Sequence, residues 1–265
     1  MSKGSGMIHP NMCTMLSFVT TDIAISKELL QSALSENVQD TFNMISVDGD
    51  TSTNDTLIVM ANGLAGNKEI TEKDENYKKF FEALSYINTK MARMLAADGE
   101  GATTLIETKV VNADTKDNAR TIAKSVICSS LTKSAIFGRD ANWGRILCAM
   151  GYSGAKFNPD NVALYFESQA GKIQIFKEGM ATDYSEVEAK RIMTEKEFSI
   201  SVIMPHYNSG LDLKRAYESV LNQTLLPAEI IIIDDCSLDK SVLIDIVDNH
   251  SNTSIDLKVD RKSVV

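Results

Sequence analysis

Hydrophobic and polar positions in the first 197 residues alternate between strand-like and helical patterns. A short apolar run at 15–20 predicts a buried strand, and residues 57–61 predict another. Ser26 stands where a helix cap is expected, before apolar residues spaced three and four positions apart. The longest helical pattern covers 74–97, where an aromatic and methionine stripe predicts a core-facing side rather than a cofactor site.

Three further elements follow the long helical pattern. Residues 102–111 predict a strand, and 114–130 predict a helix. The alternating segments 162–166 and 172–176, on either side of Gly171, predict a hairpin. Together these elements predict a mixed α/β fold.

The pattern changes toward the carboxyl terminus. Continuous apolar runs at 198–204 and 228–233 enclose an amphipathic helical pattern at 211–221. A strand, a helix and a strand with fully apolar strands predict a βαβ unit in a parallel sheet. We therefore expect two domains, 1–197 and 198–265, of which the second is short for an independent core.

Composition and charge exclude several classes of protein. The chain carries 27 Lys and Arg against 36 Asp and Glu, a net charge of −9, so we expect no nucleic-acid partner. No apolar run reaches membrane-spanning length and no secretory leader is visible, so we expect a cytoplasmic protein without a membrane partner. The 4 cysteines and 3 histidines lack zinc-ligand spacing, so no metal site is expected.

The first residues form an unusual entry to a strand. A turn of small residues and a proline precede Thr14, which stands at the mouth of the first predicted strand. A threonine hydroxyl is a weak nucleophile, but cleavage of the chain before it turns its own α-amine into an adjacent base. That amine has an ordinary pKa of about 7.7–8.0, near neutrality. Taken alone, the Cys13–Thr14 pair also fits an ordinary strand entry.

Four segments, in the same order along the chain, resemble the ornithine acetyltransferases, the glutamate N-acetyltransferases of arginine biosynthesis. They are 3–16 (KGSGMIHPNMCTML), 46–56 (SVDGDTSTNDT), 97–103 (ADGEGAT) and 137–145 (FGRDANWGR). The resemblance implies an ornithine acetyltransferase-like mixed α/β body. It also implies self-cleavage between Cys13 and Thr14 into an α chain and a β chain, with Thr14 as the first residue of the β chain.

The resemblance also assigns roles to three residues. Thr14 would be the catalytic nucleophile, and Lys3 and Glu100 would bind substrate beside it. A cation and an anion suit N-acetylornithine, which carries a carboxylate and, after transfer, a freed amine. Without the resemblance, Lys3 fits a solvated lysine and Glu100 fits a turn cap.

The implied reaction is acetyl transfer from N-acetylornithine to Thr14 and then to glutamate. Acetyl-CoA is an alternative donor and co-substrate, and no cofactor is expected. The implied partners are these small molecules and an α chain, in a heterotetramer of two α and two β chains.

The segment 48–56 also invites comparison with a calcium-binding loop. Thr53 stands where that loop needs glycine, and Val59 stands where it needs a bidentate glutamate, so calcium is rejected. We expect a hydrogen-bonded loop near the site instead. Arg139, Asn142 and Arg145 are expected to position backbone rather than to react.

Two parts of the family pattern are not found in this sequence. The α chain, with its oxyanion-hole pair, is expected before Lys3, and a polar tail is expected after 183–197. Losing one oxyanion donor costs about 10²–10³ in rate. We therefore expect poor turnover by this chain alone, with an intact Cys13–Thr14 bond as its resting state.

The carboxyl-terminal segments 199–208, 219–224 and 229–239 resemble the start of the family 2 glycosyltransferases, a partial Rossmann-like βαβ segment of the GT-A type. The resemblance implies a nucleotide-sugar site at Pro205, Tyr207 and Asp235. The metal-binding Asp-x-Asp and the catalytic base of that family lie further downstream, so this segment cannot complete a glycosyl transfer. The alternatives to an acetyltransferase are a nucleotide-sugar-binding protein and an inactive fusion remnant.

Overall fold

The structure, a computed structural model, covers most of the amino-terminal part of the chain and selected parts of the remainder. The residues that it describes are 1–12, 14–204, 214, 217–218, 221, 229–234, 241–250 and 256–261. They form a mixed α/β fold, which confirms the predicted class.

The fold combines ten strands and seven α-helices within the described residues. The strands are β1 Ser2–Lys3, β2 Leu16–Thr21, β3 Thr56–Ala61, β4 Leu105–Val111, β5 Ala163–Ser168, β6 Gly171–Lys177, β7 Met180–Ala181, β8 Glu197–Ile203, β9 Glu229–Asp234 and β10 Asp256–Arg261. The helices are α1 Lys27–Asp40, α2 Glu75–Ala97, α3 Lys116–Cys128, α4 Ser130–Phe137, α5 Trp143–Gly151, α6 Glu186–Met193 and α7 Ser241–Asn249.

The first sheet has the order β1-β2-β3 and positions the amino-terminal segment. β2 and β3 are parallel, with Leu16 opposite Thr56, and β1 is antiparallel to β2. Ser26 caps α1 as predicted, because its side chain accepts a hydrogen bond from the Leu29 N–H at 3.3 Å. Ile8 and Met15 are fully buried in the core below this sheet, so both sides of the predicted cleavage site are anchored.

β2 and β3 are buried on one face only. Val19 lies in the core, whereas Leu16, Ile58 and Met60 expose 37%, 39% and 48% of their surface. The prediction of a buried strand at 15–20 is therefore correct for one face and wrong for the other. An apolar run does not report whether both of its faces are covered.

α2 confirms most of the predicted apolar stripe. Asp74 caps the helix by accepting hydrogen bonds from the N–H groups of Asn76 and Tyr77. Tyr77, Phe80, Leu84 and Leu95 are buried. Ile87 and Met94 are 41% and 61% exposed, because the apolar stripe is wider than the face that the core covers.

The second sheet has five strands in the order β4-β8-β5-β6-β7. β5 and β6 form the predicted hairpin, and Gly171 begins β6 at a φ of +145°, which favours glycine. β8 is parallel to β4 and antiparallel to β5. Its side chains Phe198, Ile200 and Val202 are at most 1% exposed in a core shared with β5 and α6.

The placement of β8 corrects the expected βαβ unit. The strand at 198–204 does not share a sheet with β9 among the described residues, and β9 pairs in parallel with β10 instead. A largely apolar strand suits any central position in a sheet, so its sequence does not select its neighbours. The domain boundary between 197 and 198 stays a prediction, and residue 198 is the second residue of β8.

None of the helices that the structure describes combines the length and apolar composition needed to cross a bilayer.

Truncating a core side chain of β8 tests this placement. We expect Ile200→Ala to lower the free energy of unfolding of the amino-terminal body by about 2–5 kcal/mol, because it leaves a cavity. Urea unfolding followed by the fluorescence of Trp143, which stacks on Phe176 of the same core, measures the loss. The control Val187→Ala removes a side chain that is 82% exposed on α6 and should change little. An equal effect of the two substitutions contradicts the burial of β8.

Candidate active site

Thr14 lies two residues before β2, where its hydroxyl is exposed but held in place. Its Oγ1 donates a hydrogen bond to Ser52 Oγ at 2.8 Å and lies 3.4 Å from Met7 Sδ. Ser52 is only 3% exposed and also accepts the Asn54 N–H at 3.1 Å. The hydroxyl oxygen of Thr14, the predicted nucleophile, therefore has a polar neighbour and is not enclosed by hydrocarbon.

Asp55 holds the backbone of Thr14. Its Oδ1 accepts the N–H of Thr14 at 2.5 Å and the N–H of Met15 at 2.8 Å. The Thr56 N–H donates to the Met15 carbonyl at 2.8 Å, which ties the starts of β2 and β3 together. Asp55 is 5% exposed, and its Oδ2 is buried without a hydrogen-bond partner among the described residues.

Asp48 holds the segment before the predicted cleavage site in a similar way. Its carboxylate accepts the N–H groups of Met7 and Ile8, the second at 3.1 Å, and that of Asp50 at 3.0 Å. Burial alone would raise the pKa of Asp48, but the backbone donors Asp50, Met7 and Ile8 outweigh it and lower that pKa. The predicted hydrogen-bonded loop at 48–56 is therefore observed, and it holds both sides of Cys13.

Glu100 follows α2 and reaches the same amino-terminal segment. Its N–H donates to the Ser5 carbonyl at 2.6 Å. A Cβ added to Gly6 would lie 2.7 Å from Glu100 Oε2, so the carboxylate rests against the bare backbone of this glycine. Because Met7 contacts Thr14 and Gly6 contacts Glu100, the Thr14 hydroxyl and the Glu100 carboxylate flank one short segment.

The backbone of Lys3 pairs with that of β2, which places Lys3 in this region. It lies in β1 opposite Leu16, two residues beyond Thr14, and it is exposed. The remaining predicted site residues, Cys13, Pro205, Tyr207 and Asp235, lie outside the described residues. The structure thus brings Thr14, Glu100 and the backbone of Lys3 to one region.

A cavity of about 620 Å³ lies beside this region. Glu100 and Lys133 both line it, so its wall includes acidic and basic side chains, the others being Asp40, Glu107, Arg93, Lys116 and Arg120. Thr14 and Lys3 do not line it. In the part of the chain that the structure describes, no group of three or more His, Cys, Asp or Glu side chains could hold a metal ion.

Two lysines hold the segment that precedes this loop, and sequence analysis missed both. Lys124 Nζ donates to the carbonyls of Asn43 and Ile45 at 2.5 and 2.9 Å, and Lys133 Nζ donates to that of Val47 at 2.6 Å. Burial lowers the pKa of Lys124 to about 8 and also lowers the pKa of Lys133. These contacts join residues about eighty positions apart in the sequence, so no local sequence pattern predicts them.

His9 connects the amino-terminal segment to α3. Its Nδ1 lies 3.1 Å from Ser46 Oγ and 3.5 Å from Cys128 Sγ. Burial lowers the pKa of His9, and the charges of Lys124 and Lys133 lower it further. The imidazole therefore favours its neutral form, in which one ring nitrogen can accept a hydrogen bond.

Ser52, Asp48 and Asp55 are further residues to which sequence analysis assigned no individual role. All three lie in the segment 46–56 that resembles the acetyltransferases, and the density of short polar side chains there was the available signal. Their partners are backbone groups and a hydroxyl some forty residues away, which that signal does not specify.

The fold and the site define an α/β protein with a hydrogen-bonded threonine at the entry of a parallel strand. The ArgJ family matches residues 1–218, and glycosyl transferase family 2 matches residues 201–263. Because the first match covers most of the sequence, the chain belongs to the ArgJ family. The two matches overlap at β8 and the residues after it, and the predicted fusion near residue 198 stays a prediction.

Individual relatives agree with this family. The chain is 50% identical over 216 residues to the arginine biosynthesis bifunctional protein ArgJ of Thermotoga neapolitana, covering 82% of this chain and 54% of that protein. It is 54% identical over 203 residues to the protein of the same name from Caldanaerobacter subterraneus, covering 77% and 50%. The chain thus spans about half the length of the curated relatives that it matches.

A solved structure shows the same fold. The crystal structure of the arginine biosynthesis bifunctional protein argJ from Bacillus halodurans superimposes with a TM-score of 0.68 and 44% sequence identity. The match covers 72% of this chain and 88% of that chain. The predicted ornithine acetyltransferase-like α/β body is therefore confirmed.

The half-buried Lys124 predicts a pH dependence of stability. Because the pKa of Lys124 is about 8 in the folded chain and 10.5 ordinarily, the unfolded chain binds more protons between these values. The free energy of unfolding of the wild type should therefore rise over this pH range relative to Lys124→Met, by up to about 3 kcal/mol. Below pH 8 both states are protonated and this gain is absent.

Urea unfolding at several pH values between 7 and 11, about the span set by the two pKa values, measures this difference. Lys79→Met, which replaces an exposed lysine of α2, is the matched control and should give a flat difference from the wild type. If the difference in free energy of unfolding between the wild type and Lys124→Met does not change with pH, the burial of Lys124 is contradicted.

Proposed function

We propose that this chain carries the β-chain part of an acetyltransferase of arginine biosynthesis, which moves an acetyl group from N-acetylornithine to glutamate. Acetyl-CoA serves as an alternative donor, and no cofactor takes part. The observation that carries the proposal is the hydrogen bonding of Thr14. Its hydroxyl donates to Ser52, and its backbone N–H donates to Asp55. The names of the relatives, which refer to arginine biosynthesis, support the same pathway.

The proposed chemistry begins with self-cleavage between Cys13 and Thr14. Thr14 Oγ1 attacks the carbonyl carbon of Cys13, the C–N bond breaks, and the hydroxyl proton ends on the Thr14 nitrogen. Water then hydrolyses the resulting ester, which restores the hydroxyl beside a free α-amine. This amine can act as the base for the hydroxyl, because its ordinary pKa lies at about 7.7–8.0.

Acetyl transfer then follows a ping-pong course. The α-amine accepts the proton of Thr14 Oγ1, which attacks the acetyl carbonyl of N-acetylornithine, and ornithine leaves as its amine is protonated. The amine of glutamate attacks the acetyl ester and releases N-acetylglutamate. Lys3 and Glu100 bind the carboxylate and the amine of the substrate, and their opposite charges fix its orientation beside Thr14.

We also propose an α chain as partner, in an assembly of two α and two β chains in the cytoplasm. Its part would be to supply the oxyanion donors for the developing charge on the acetyl oxygen. Exposure of Leu16, Ile58 and Met60 on one face of the first sheet supports a partner there, since exposed apolar faces mark interaction surfaces.

Mass spectrometry and an acetyl-transfer assay test this function together. We expect the purified chain alone to have its intact mass, and the chain with an α chain from a family member to yield a species that begins at Thr14. The mixture should then transfer acetyl from N-acetylornithine to glutamate. Thr14→Ala should abolish cleavage and transfer, because it removes the only atom proposed to carry the acetyl group.

The matched control is Thr121→Ala, which removes an exposed hydroxyl from α3 and should leave both reactions unchanged. In the same assay, Glu100→Gln should raise the KM for N-acetylornithine about 10-fold or more, the worth of a hydrogen bond to a charged group. Acetyl transfer by the Thr14→Ala variant contradicts the role of Thr14 as the nucleophile. A species starting at Thr14 from the chain alone contradicts the proposed resting state.

The match of residues 201–263 to glycosyl transferase family 2 favours a second candidate function, nucleotide-sugar binding through Pro205, Tyr207 and Asp235. Calorimetric titration with a UDP-sugar tests it, with Asp235→Ala as the comparison variant. Binding that this substitution removes supports the candidate. If the chain neither binds a UDP-sugar nor transfers acetyl in the presence of an α chain, it is an inactive fusion remnant.

A further inference from the structure

We propose that Asp55 is the positioning residue for the nitrogen of Thr14, which it holds as an amide before cleavage and as the free α-amine afterwards. This inference rests on the proposed function, because the free amine exists only after cleavage before Thr14. The α-amine of Thr14, the proposed base of the reaction, thereby gains a hydrogen-bond partner in this chain.

The strand register places Asp55 at this nitrogen. β2 and β3 are parallel with Leu16 opposite Thr56, so the residue before β3 lies beside the residues before β2. Asp55 Oδ1 uses this proximity to accept the N–H of Thr14 at 2.5 Å and that of Met15 at 2.8 Å. Sheet geometry therefore brings the side chain of Asp55 within reach of both N–H groups.

The hydrogen-bonding capacity of Asp55 exceeds what the described residues of the uncleaved chain offer it. Both N–H donors reach the same oxygen, whereas Oδ2 is buried without a partner among the residues that the structure describes. A buried carboxylate oxygen is normally satisfied by a donor. An amide nitrogen carries one hydrogen, and the amine formed by cleavage carries two or, when protonated, three. Cleavage thus produces the additional donors at the atom that Asp55 already holds.

The hydroxyl and the nitrogen of Thr14 are held by separate groups of one loop. Ser52 Oγ accepts the hydroxyl at 2.8 Å, and Asp55 accepts the nitrogen. During cleavage the O–C bond forms, the C–N bond breaks, and the hydroxyl proton passes to this nitrogen. Asp55 keeps the nitrogen in place as its bond to residue 13 is lost, so the amine remains beside the oxygen that it must deprotonate.

The first test uses the full chain and needs no reaction. In ¹H–¹⁵N correlation spectra, Asp55→Asn should shift the amide resonances of Thr14 and Met15, because a neutral oxygen replaces the charged acceptor. The remaining resonances should stay in place, which shows that the variant folds. Asp50→Asn, an exposed carboxylate in the same loop, is the control and should leave both resonances unchanged. Unshifted Thr14 and Met15 resonances in Asp55→Asn overturn the proposal.

The second test adds the α chain and measures cleavage and transfer. Asp55→Asn should slow cleavage and lower kcat on the order of 100-fold, the effect of a misplaced catalytic group. The KM for N-acetylornithine should be unchanged, since the proposal assigns Asp55 to the Thr14 nitrogen and not to the substrate. Normal kcat in this variant overturns the role of Asp55 and leaves the acetyltransferase function standing. A wild-type chain that stays uncleaved beside the α chain overturns both.

Discussion

The structure of the candidate site depends on two carboxylates that hold the backbone on either side of Cys13. Asp48 accepts the N–H groups of Met7 and Ile8 before it, and Asp55 accepts those of Thr14 and Met15 after it. Charge-assisted hydrogen bonds to backbone N–H groups are short and strong, so the chain is held firmly on both sides of the proposed cleavage site. The parallel pair β2–β3 positions Asp55, and Lys124 and Lys133 support the segment before Asp48.

Sequence analysis identified much of the fold because local rules act within a few residues. Ser26 as a cap, the apolar face of α2 and the hairpin at Gly171 follow from side-chain spacing and turn chemistry. The exposed faces of β2 and β3 did not follow, since an apolar run says nothing about what covers it. Within the site, Thr14 and Glu100 came from the family resemblance, and the structure brings both to the segment at Gly6 and Met7.

The residues that sequence analysis left unassigned act across long separations. Ser52 and Asp55 reach Thr14 over about forty positions, and Lys124 reaches Ile45 over about eighty. Such contacts arise from strand register and helix packing, which no local pattern encodes. Their residue types were still informative, because short polar side chains between two strands are suited to bind backbone groups.

β8 shows how one strand can satisfy the patterns of two families. Residues 201–203 belong to both matches, and the apolar Val202 and Ile203 suit a central strand in either setting. In the structure β8 pairs with β4 on one side and β5 on the other, so both of its hydrogen-bonding edges are used. A strand with both edges paired cannot also join β9, which pairs with β10. The sheet of the acetyltransferase-like body therefore takes the strand with which the glycosyltransferase-like segment would begin.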